Sequence, residues 1–315
     1  MTRLANGEPV TQAHMTGMRR KLLRIGSLMA FDDCISGFYL RDEKMTHNYL
    51  QALEPVFVDV SRAYLNKERM QAAYFAYFIS KYHIYFDSVL DCLFAYLKKD
   101  SLYCRQNAMK ALYNVGDVQR VMEGIRILDT EHAFFHGKIL SDGLLTFAGS
   151  HTRLIAMLWE TFETYSVETQ AAILNYIRFK SGAYSDRMLR ILTDETQDVE
   201  LRYAAIRYFG RYPDERAYPV LLQFVKDNDE IHWNFGAFAA TALSGYPGEE
   251  TVAVLKAAVH SSNWYIRYNV SQTLEALGVS YQDMIDVMSG DDRYAREMMA
   301  YRFDSRAASE EVLPV

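Results

Sequence analysis

The chain has 315 residues, of which 50% are hydrophobic and 23% are charged, and this composition excludes an intrinsically disordered protein. Only 6 prolines and 16 glycines interrupt it, so long stretches of helix are allowed. A net charge of −6 argues against a protein that holds nucleic acid through an overall basic surface.

The N-terminal part of the chain has the least regular pattern. Residues 1–48 are predicted to be an extension, with irregular residues 1–15 and a helical cap over 18–40. The segment "YLQALEPVFVDVSRAYL" at 49–65 fits the first helix of a repeat array, which is predicted to run over 49–303. Residues 304–315 are predicted to be a C-terminal tail.

A repeating position occurs eight times along this array. The positions, called anchors here, are Gln71, Arg105, Lys138, Gln170, Arg202, Asn234, Arg267 and Arg296. The successive spacings are 34, 33, 32, 32, 32, 33 and 29 residues. Near-constant spacing of this size indicates stacked helical repeats, because a unit so short cannot bury its apolar face alone.

Each anchor is predicted to lie in the first turn of a helix, called helix B. A capping residue precedes several anchors by four positions, and these residues are Ser101, Ser166, Asp198, Asn263 and Asp292. A second amphipathic helix, helix A, is predicted between successive B helices, at 87–99, 153–165, 186–195, 216–227 and 250–261. The sequence therefore predicts seven to eight helix pairs and no strands.

The anchor arginines raise a question of their own, since a charged residue stands beside an apolar one, as in Ile266-Arg267. We expect Arg267 to bond the polar start of the neighbouring repeat while its stem covers apolar surface. On this interpretation the arginine is structural.

Two segments carry a family resemblance. "DVELRYAAIRYFGRYPDERAYPVLLQFVKD" at 198–227 and "NWYIRYNVSQTLEALG" at 263–278 resemble HEAT repeats, especially the short bacterial kind that also occurs in bilin-lyase-like proteins. The resemblance implies an all-α, right-handed α-solenoid whose B helices line the concave side. It implies a bacterial scaffold more often than an enzyme.

Compartment and membrane association are predicted from the cysteines and from apolar runs. Cys34, Cys92 and Cys104 cannot all pair within the chain, and no CxxC or CxxH spacing occurs, so we expect reduced thiols, no zinc and a cytoplasmic protein. No run is long enough to insert into a membrane. An anchor upstream of Met1, which would make the chain the cytosolic part of an anchored protein, stays open.

No catalytic, metal or cofactor motif stands out, and we expect neither metal nor cofactor. His132 and His136 have metal-capable spacing but lack a third ligand. Glu131-His132 and Glu230 with His232 do not match the repeated His-Glu pairs of the HEAT-type deoxyhypusine hydroxylases. The acids of "SGDDR" at 289–293 are predicted to cap a helix through Asp292.

The predicted function is binding of a protein or peptide partner along the concave face, with no enzyme activity. The candidate binding residues are Tyr203, Arg207, Phe235, Phe238 and Tyr268, which belong to three consecutive B helices and should be partly exposed. The opposing interpretation is that neighbouring B helices pack edge to edge and bury these positions.

A HEAT-type enzyme or enzyme subunit is the alternative function. A DNA-base glycosylase-like protein would use a basic concave face and tryptophans, and Trp159, Trp233 and Trp264 are present, although the chain is acidic. A bilin-lyase-like subunit shares the repeat, but no motif in this chain points to that activity. Nucleic acid is therefore not an expected partner.

Overall fold

A computed structural model describes residues 8–67, 69–130, 137–227 and 231–311, and within these ranges the chain forms helices joined by turns, with no strand. The first four α-helices are α1 (Gln12–Leu22), α2 (Ile25–Tyr39), α3 (Glu43–Ala52) and α4 (Glu54–Tyr64). They are followed by α5 (Arg69–Lys81), α6 (Asp87–Leu97), α7 (Leu102–Val115), α8 (Val118–Thr130), α9 (Gly137–Leu145), α10 (His151–Glu160) and α11 (Val167–Lys180).

The second half of the chain continues the series. Its helices are α12 (Ser185–Thr193), α13 (Val199–Arg211), α14 (Tyr218–Asp227), α15 (Trp233–Ala242), α16 (Glu249–Ala258), α17 (Trp264–Ala276), α18 (Ile285–Ser289) and α19 (Arg293–Glu311). Short 3-10 turns lie at Phe162–Thr164, Leu243–Gly245 and Gln282–Met284. From α4 onward, even-numbered helices are A helices and odd-numbered helices are B helices.

The chain divides into two compact units, Met1–Thr169 and Gln170–Val315. In the first unit, B helices α5, α7 and α9 pack in sequence, and so do A helices α4, α6, α8 and α10. In the second unit, B helices α13, α15, α17 and α19 pack in sequence, and A helix α14 packs on α16. The predicted all-α class, with stacked helix pairs, is confirmed within each unit; the predicted boundaries at 48 and 303 stay predictions.

The caps that the sequence predicted are present. The Asp198 carboxylate accepts a hydrogen bond from the backbone N–H of Glu200 at 2.9 Å, and the Asn263 side chain accepts one from Tyr265 at 2.8 Å. Ser101, Ser166 and Asp292 likewise accept from N–H groups in the first turn of α7, α11 and α19. Each cap satisfies a backbone donor that has no partner inside its helix.

Two helices end at a glycine in the left-handed region, Gly116 after α7 (φ +74°) and Gly278 after α17 (φ +75°). The N–H of Val279 then bonds the carbonyl of Leu274 at 3.1 Å, which closes the last turn of α17. A residue with a side chain is strained at such an angle, so glycine at positions 116 and 278 has a backbone reason.

The N-terminal part differs from the prediction in detail. Two helices, α1 and α2, occupy the predicted cap, and α1 begins at Gln12 inside the segment predicted to be irregular. The predicted helix over 49–65 is interrupted at Leu53, because Pro55 lies at the start of a new helix, where its missing N–H costs nothing. The last helix continues to Glu311, beyond the predicted start of the tail.

Cores of the two units are apolar and aromatic. Phe57, Phe75 and Tyr96 are buried in the first unit, and Phe209, Leu255 and Leu274 in the second. Cys92 and Cys104 are buried, Cys34 is exposed, and all three are free thiols. Among the described residues, no helix combines the length and apolarity needed to cross a membrane.

Candidate functional site

The anchor arginines hold the loop that connects helix A to helix B. The Arg267 guanidinium donates to the carbonyls of Ser261 at 2.6 Å and Ser262 at 3.2 Å, both just beyond α16. Arg105 donates to the carbonyl of Lys99 at 2.7 Å, and Arg296 donates to that of Gly290. Each of these bonds reaches back about five or six residues and pairs a carbonyl of the connecting loop.

This geometry corrects the expectation for Arg267. Its hydrogen-bond acceptors belong to its own repeat, not to the start of the neighbouring repeat. The neighbour contributes an aromatic ring instead: the guanidinium carbon lies 5.3 Å from the ring centroid of Tyr294 on α19. Arg202 repeats the pattern, donating to the carbonyl of Leu192 at 3.2 Å and lying 4.8 Å from the ring of Phe235. The structural interpretation of these arginines therefore holds, with a different acceptor.

Three of the predicted binding residues form an aromatic cluster between α13 and α15. The ring of Tyr203 meets Phe235 at 4.7 Å and Phe238 at 5.2 Å, both edge to face. The guanidinium of Arg207, one turn after Tyr203, lies 4.8 Å from the ring centroid of Phe238. The side chains thus bridge two consecutive B helices.

A second cluster lies between α17 and α19 of the same unit. The ring of Tyr268 stacks on Trp264 at 4.9 Å, with an interplanar angle of 20°. Arg302 of α19 lies 4.7 Å from the ring centroid of Tyr268 and pairs with Glu275 at 3.6 Å. The same combination of ring and guanidinium therefore recurs further along the B helices. We call the two clusters together the aromatic–arginine surface.

Exposure separates the five predicted residues into two groups. Arg207, Phe238 and Tyr268 are half-buried, so part of each side chain can be reached. Tyr203 is only 4% exposed and Phe235 8%, and the expectation that these two are partly exposed is wrong. Their rings pack on each other between neighbouring B helices, as the opposing interpretation held, and Tyr203 also contacts the ring of Phe238. The sequence prediction did not include Trp264, which is 50% exposed.

Three arginines converge beside this surface, and the sequence prediction named only one of them. Arg178 on α11 lies 4.5 Å from the ring of Phe179, and Arg211 on α13 lies 5.4 Å from the same ring. Arg207 precedes Arg211 by one helical turn on the same face of α13. Arg178, Arg207 and Arg211 are called the arginine triad below.

A buried polar cluster in the first unit was not predicted at all. The Asp32 carboxylate, on α2, accepts hydrogen bonds from Lys81 Nζ at 2.7 Å, from Tyr74 at 2.6 Å and from Tyr82 at 2.5 Å. Lys81 Nζ also donates to Ser36 Oγ at 2.8 Å. No pattern along the chain signals this cluster, because its donors lie more than 40 residues from Asp32 and meet it only after folding.

The charges of this cluster decide what it can do chemically. Burial raises the pKa of Asp32, but hydrogen bonds from Lys81, Tyr74 and Tyr82 outweigh it and hold that pKa below its usual value. Burial alone would lower the pKa of Lys81, yet the interactions with Asp32 and Tyr82 together outweigh it and raise that pKa. A serine–lysine pair acts as a nucleophile and base only when the amine is neutral, whereas this amine is held protonated. The cluster therefore ties α2 to α5 and does not activate Ser36.

Metal-binding geometry is not found in the ranges that the structure covers, where no group of three or more His, Cys, Asp or Glu side chains is arranged to hold an ion. The residues of "HAFFH" and Glu131, together with Glu230, lie outside those ranges. Asp292 caps α19, as predicted, and also bonds His260 Nδ1 at 2.8 Å.

The tryptophans that would matter to a base-flipping enzyme have other neighbours. Trp159 packs on Phe162 at 4.7 Å, and Trp233 stacks on Tyr265 at 4.6 Å. Only Trp264 joins the aromatic–arginine surface. Trp233 and Trp264 thus share the ring of Tyr265, which lies 5.2 Å from Trp264, whereas Trp159 belongs to a ring contact of the first unit.

Comparison with known proteins identifies the repeat. The family model of HEAT repeats matches residues 185–275, which span α12 to most of α17 and include all five predicted binding residues. No curated protein matches the chain.

Proposed function

Residues 185–275 match the family model of HEAT repeats, and from this premise we propose that the chain binds a peptide segment of a partner protein along the aromatic–arginine surface. Repeat arrays of this kind serve far more often as scaffolds than as catalysts. The surface lies on the B helices, the side predicted to be concave. We propose no enzyme activity.

One observation carries the proposal: accessible rings, each paired with a guanidinium group, occur along consecutive B helices. Phe238 under Arg207 and Tyr268 under Arg302 repeat one arrangement, and Trp264 adds an indole that is 50% exposed. Tryptophan, tyrosine and arginine are the residues that dominate the energetics of interfaces. Because these rings are held by their neighbours, little side-chain entropy remains to be lost on binding.

Selection from a random dodecapeptide library displayed on phage tests this function, followed by calorimetry with a selected peptide. Trp264→Ala and Phe238→Ala should each weaken binding about 30-fold, the equivalent of about 2 kcal/mol for an interface anchor. Tyr103→Ala is the matched control, since Tyr103 is also an exposed aromatic but lies in the other unit. A library that yields no binding peptide, or peptides whose affinity both substitutions leave unchanged, would refute the proposal.

Thermal denaturation supplies the check on folding. Phe238→Ala should change the stability little, because the half-buried ring leaves an opening to solvent and no closed cavity. Leu274→Ala should cost about 2–5 kcal/mol, because Leu274 is fully buried. If Phe238→Ala is as destabilising as Leu274→Ala, Phe238 is a core residue and the surface loses its central anchor.

A further inference from the structure

The arginine triad is an arrangement of like charges around one ring. Arg178 and Arg211 both lie against Phe179, whose side chain is 41% exposed, and they approach it from different helices, α11 and α13. Arg207 extends the triad toward the aromatic–arginine surface through its contact with Phe238. Three guanidinium groups therefore face one region at the side of that surface.

No described residue forms an ion pair or a hydrogen bond with these three guanidinium groups, and the Nε atoms of Arg178 and Arg207 are buried without an acceptor. Elsewhere in the chain the arginines of helix B have at least one acceptor: Arg202 donates to a carbonyl, and Arg267, whose Nε is also buried without an acceptor, donates to two carbonyls through Nη1. Buried donors in folded proteins are nearly always paired, so the triad has donors that are available to a ligand.

The pKa shifts of Arg178 and Arg207 also favour an anionic ligand at the triad. Burial lowers the pKa of Arg178, and the neighbouring charges of Arg207 and Arg211 lower it further. Burial also lowers the pKa of Arg207, and Glu200 offsets part of this effect at a distance, without forming an ion pair. Keeping Arg178 and Arg207 charged therefore costs free energy, and a bound oxyanion would reduce that cost.

We propose that the arginine triad binds the carboxylates of an acidic segment in the partner polypeptide. This inference rests on the proposed function and adds the chemistry of the partner: apolar residues on the aromatic rings, followed by aspartate or glutamate at the triad. A guanidinium matches a carboxylate with two parallel hydrogen bonds, and the partial burial of Arg178 and Arg207 strengthens those bonds.

The charge of the whole chain favours a short acidic segment over an extended polyanion. With a net charge of −6, the protein repels DNA, RNA or an anionic bilayer at long range, whereas three local arginines attract a few carboxylates at contact. The continuity of the triad with Phe238 places the carboxylates next to the apolar part of the same segment.

The test compares the peptides that the dodecapeptide library yields on three proteins. The first is the natural chain. The second is Arg178→Gln/Arg211→Gln, which leaves the contact between Arg207 and Phe238 intact. The third is a control, Arg153→Gln/Arg190→Gln, which removes the same charge from exposed positions on A helices. Peptides selected on the natural chain and on the control should be enriched in Asp and Glu about threefold over the library, and those selected on the triad variant should not.

Calorimetry with one selected acidic peptide completes the test. Replacing its acids by Gln should weaken binding to the natural chain about tenfold and to the triad variant hardly at all. The thermal midpoint of the triad variant should be equal to or above that of the natural chain, because the substitutions remove like charges that have no partner.

The outcomes separate this inference from the proposed function. The inference is overturned if peptides selected on the natural chain show no enrichment in Asp and Glu. It is also overturned if peptides selected on the triad variant keep that enrichment. Either result leaves the proposed peptide binding in place. A library that yields no peptide overturns both. Sedimentation of the natural chain, but not of the triad variant, with phosphatidylserine vesicles assigns the triad to a lipid headgroup and overturns the acidic peptide.

Discussion

At the scale of single residues, Asp32 shows how a buried carboxylate can stay ionised. The energy of desolvation opposes its charge, and three donors from α5 and its C-terminal end compensate for it. Lys81 keeps 32% of its side chain exposed, which reduces its own desolvation penalty while Asp32, at 6%, is almost fully enclosed. The pair therefore stabilises the junction of α2 and α5 as long as Asp32 is charged.

Asp32→Asn should lower the free energy of unfolding at pH 7 by about 2 kcal/mol, because it leaves the Lys81 charge without its partner. Since the pKa of Asp32 is lower in the folded protein than in the unfolded one, this contribution is fully present above the unfolded pKa of about 4 and is lost as the pH falls through the folded pKa. Urea denaturation of both proteins at pH 7 and pH 3 measures the change.

Asp33→Asn is the matched control, because Asp33 is the exposed neighbour on the same helix. It should change stability by less than about 0.5 kcal/mol at either pH. An Asp32→Asn deficit that stays constant between pH 7 and pH 3 would contradict the assignment of the ionised carboxylate as the stabilising form.

At the scale of helices, the B helices stack closely where small residues meet. A Cβ atom on Gly210 of α13 would lie 2.9 Å from the Cα atom of Ala242 on α15, closer than such atoms approach. The backbones can meet there only because both residues are small. This approach also fixes the end of α13, which carries Arg211.

Gly210→Ala should therefore destabilise the protein by about 1–3 kcal/mol, since the backbone of α15 must move. Gly37→Ala, in α2, is the matched substitution: nothing lies within 4 Å of the new Cβ atom, so it should stabilise by up to about 1 kcal/mol. Thermal denaturation of both variants checks the opposite signs. Equal effects would show that helix propensity, and not the contact with Ala242, controls both positions.

Features that depend on nearby residues were predictable from the sequence. The five caps act on backbone groups two or three positions away, and the repeat spacing fixes the order of A and B helices, so both predictions are confirmed. The break at Leu53 is equally local, since it depends on Pro55, but the apolar periodicity of 49–65 continues across it.

Features that depend on distant residues were not predictable in the same way. The sequence of one helix B does not show whether the next repeat covers a residue on its outer face. In the structure, Phe235 covers Tyr203, whereas Phe238 remains accessible. Arg178 and Arg211 share one ring only because Arg211 of α13 reaches Phe179 of α11 after folding. The Asp32 cluster joins residues of two helices that no spacing rule relates.

At the scale of the molecule, a substitution that destabilises one helix pair should also destabilise the pairs that stack on it. Within the unit Gln170–Val315, α17 packs on α15, α16 and α19. Leu274→Ala should therefore speed amide hydrogen exchange most in those four helices and least in α12, two repeats away. Exchange measured by mass spectrometry locates the effect. A uniform increase over α12 to α19 would instead show that the unit opens as one cooperative body.

The anchor arginines also affect how the number of repeats can change during evolution. Arg105, Arg267 and Arg296 each find their carbonyl about six residues earlier, inside the same repeat. Duplication or loss of one complete repeat by recombination therefore leaves every remaining donor with its acceptor. An insertion between Ser261 and Arg267 would separate the two. Selection can accordingly lengthen or shorten the array in steps of about one repeat, while the short connections inside each repeat resist change.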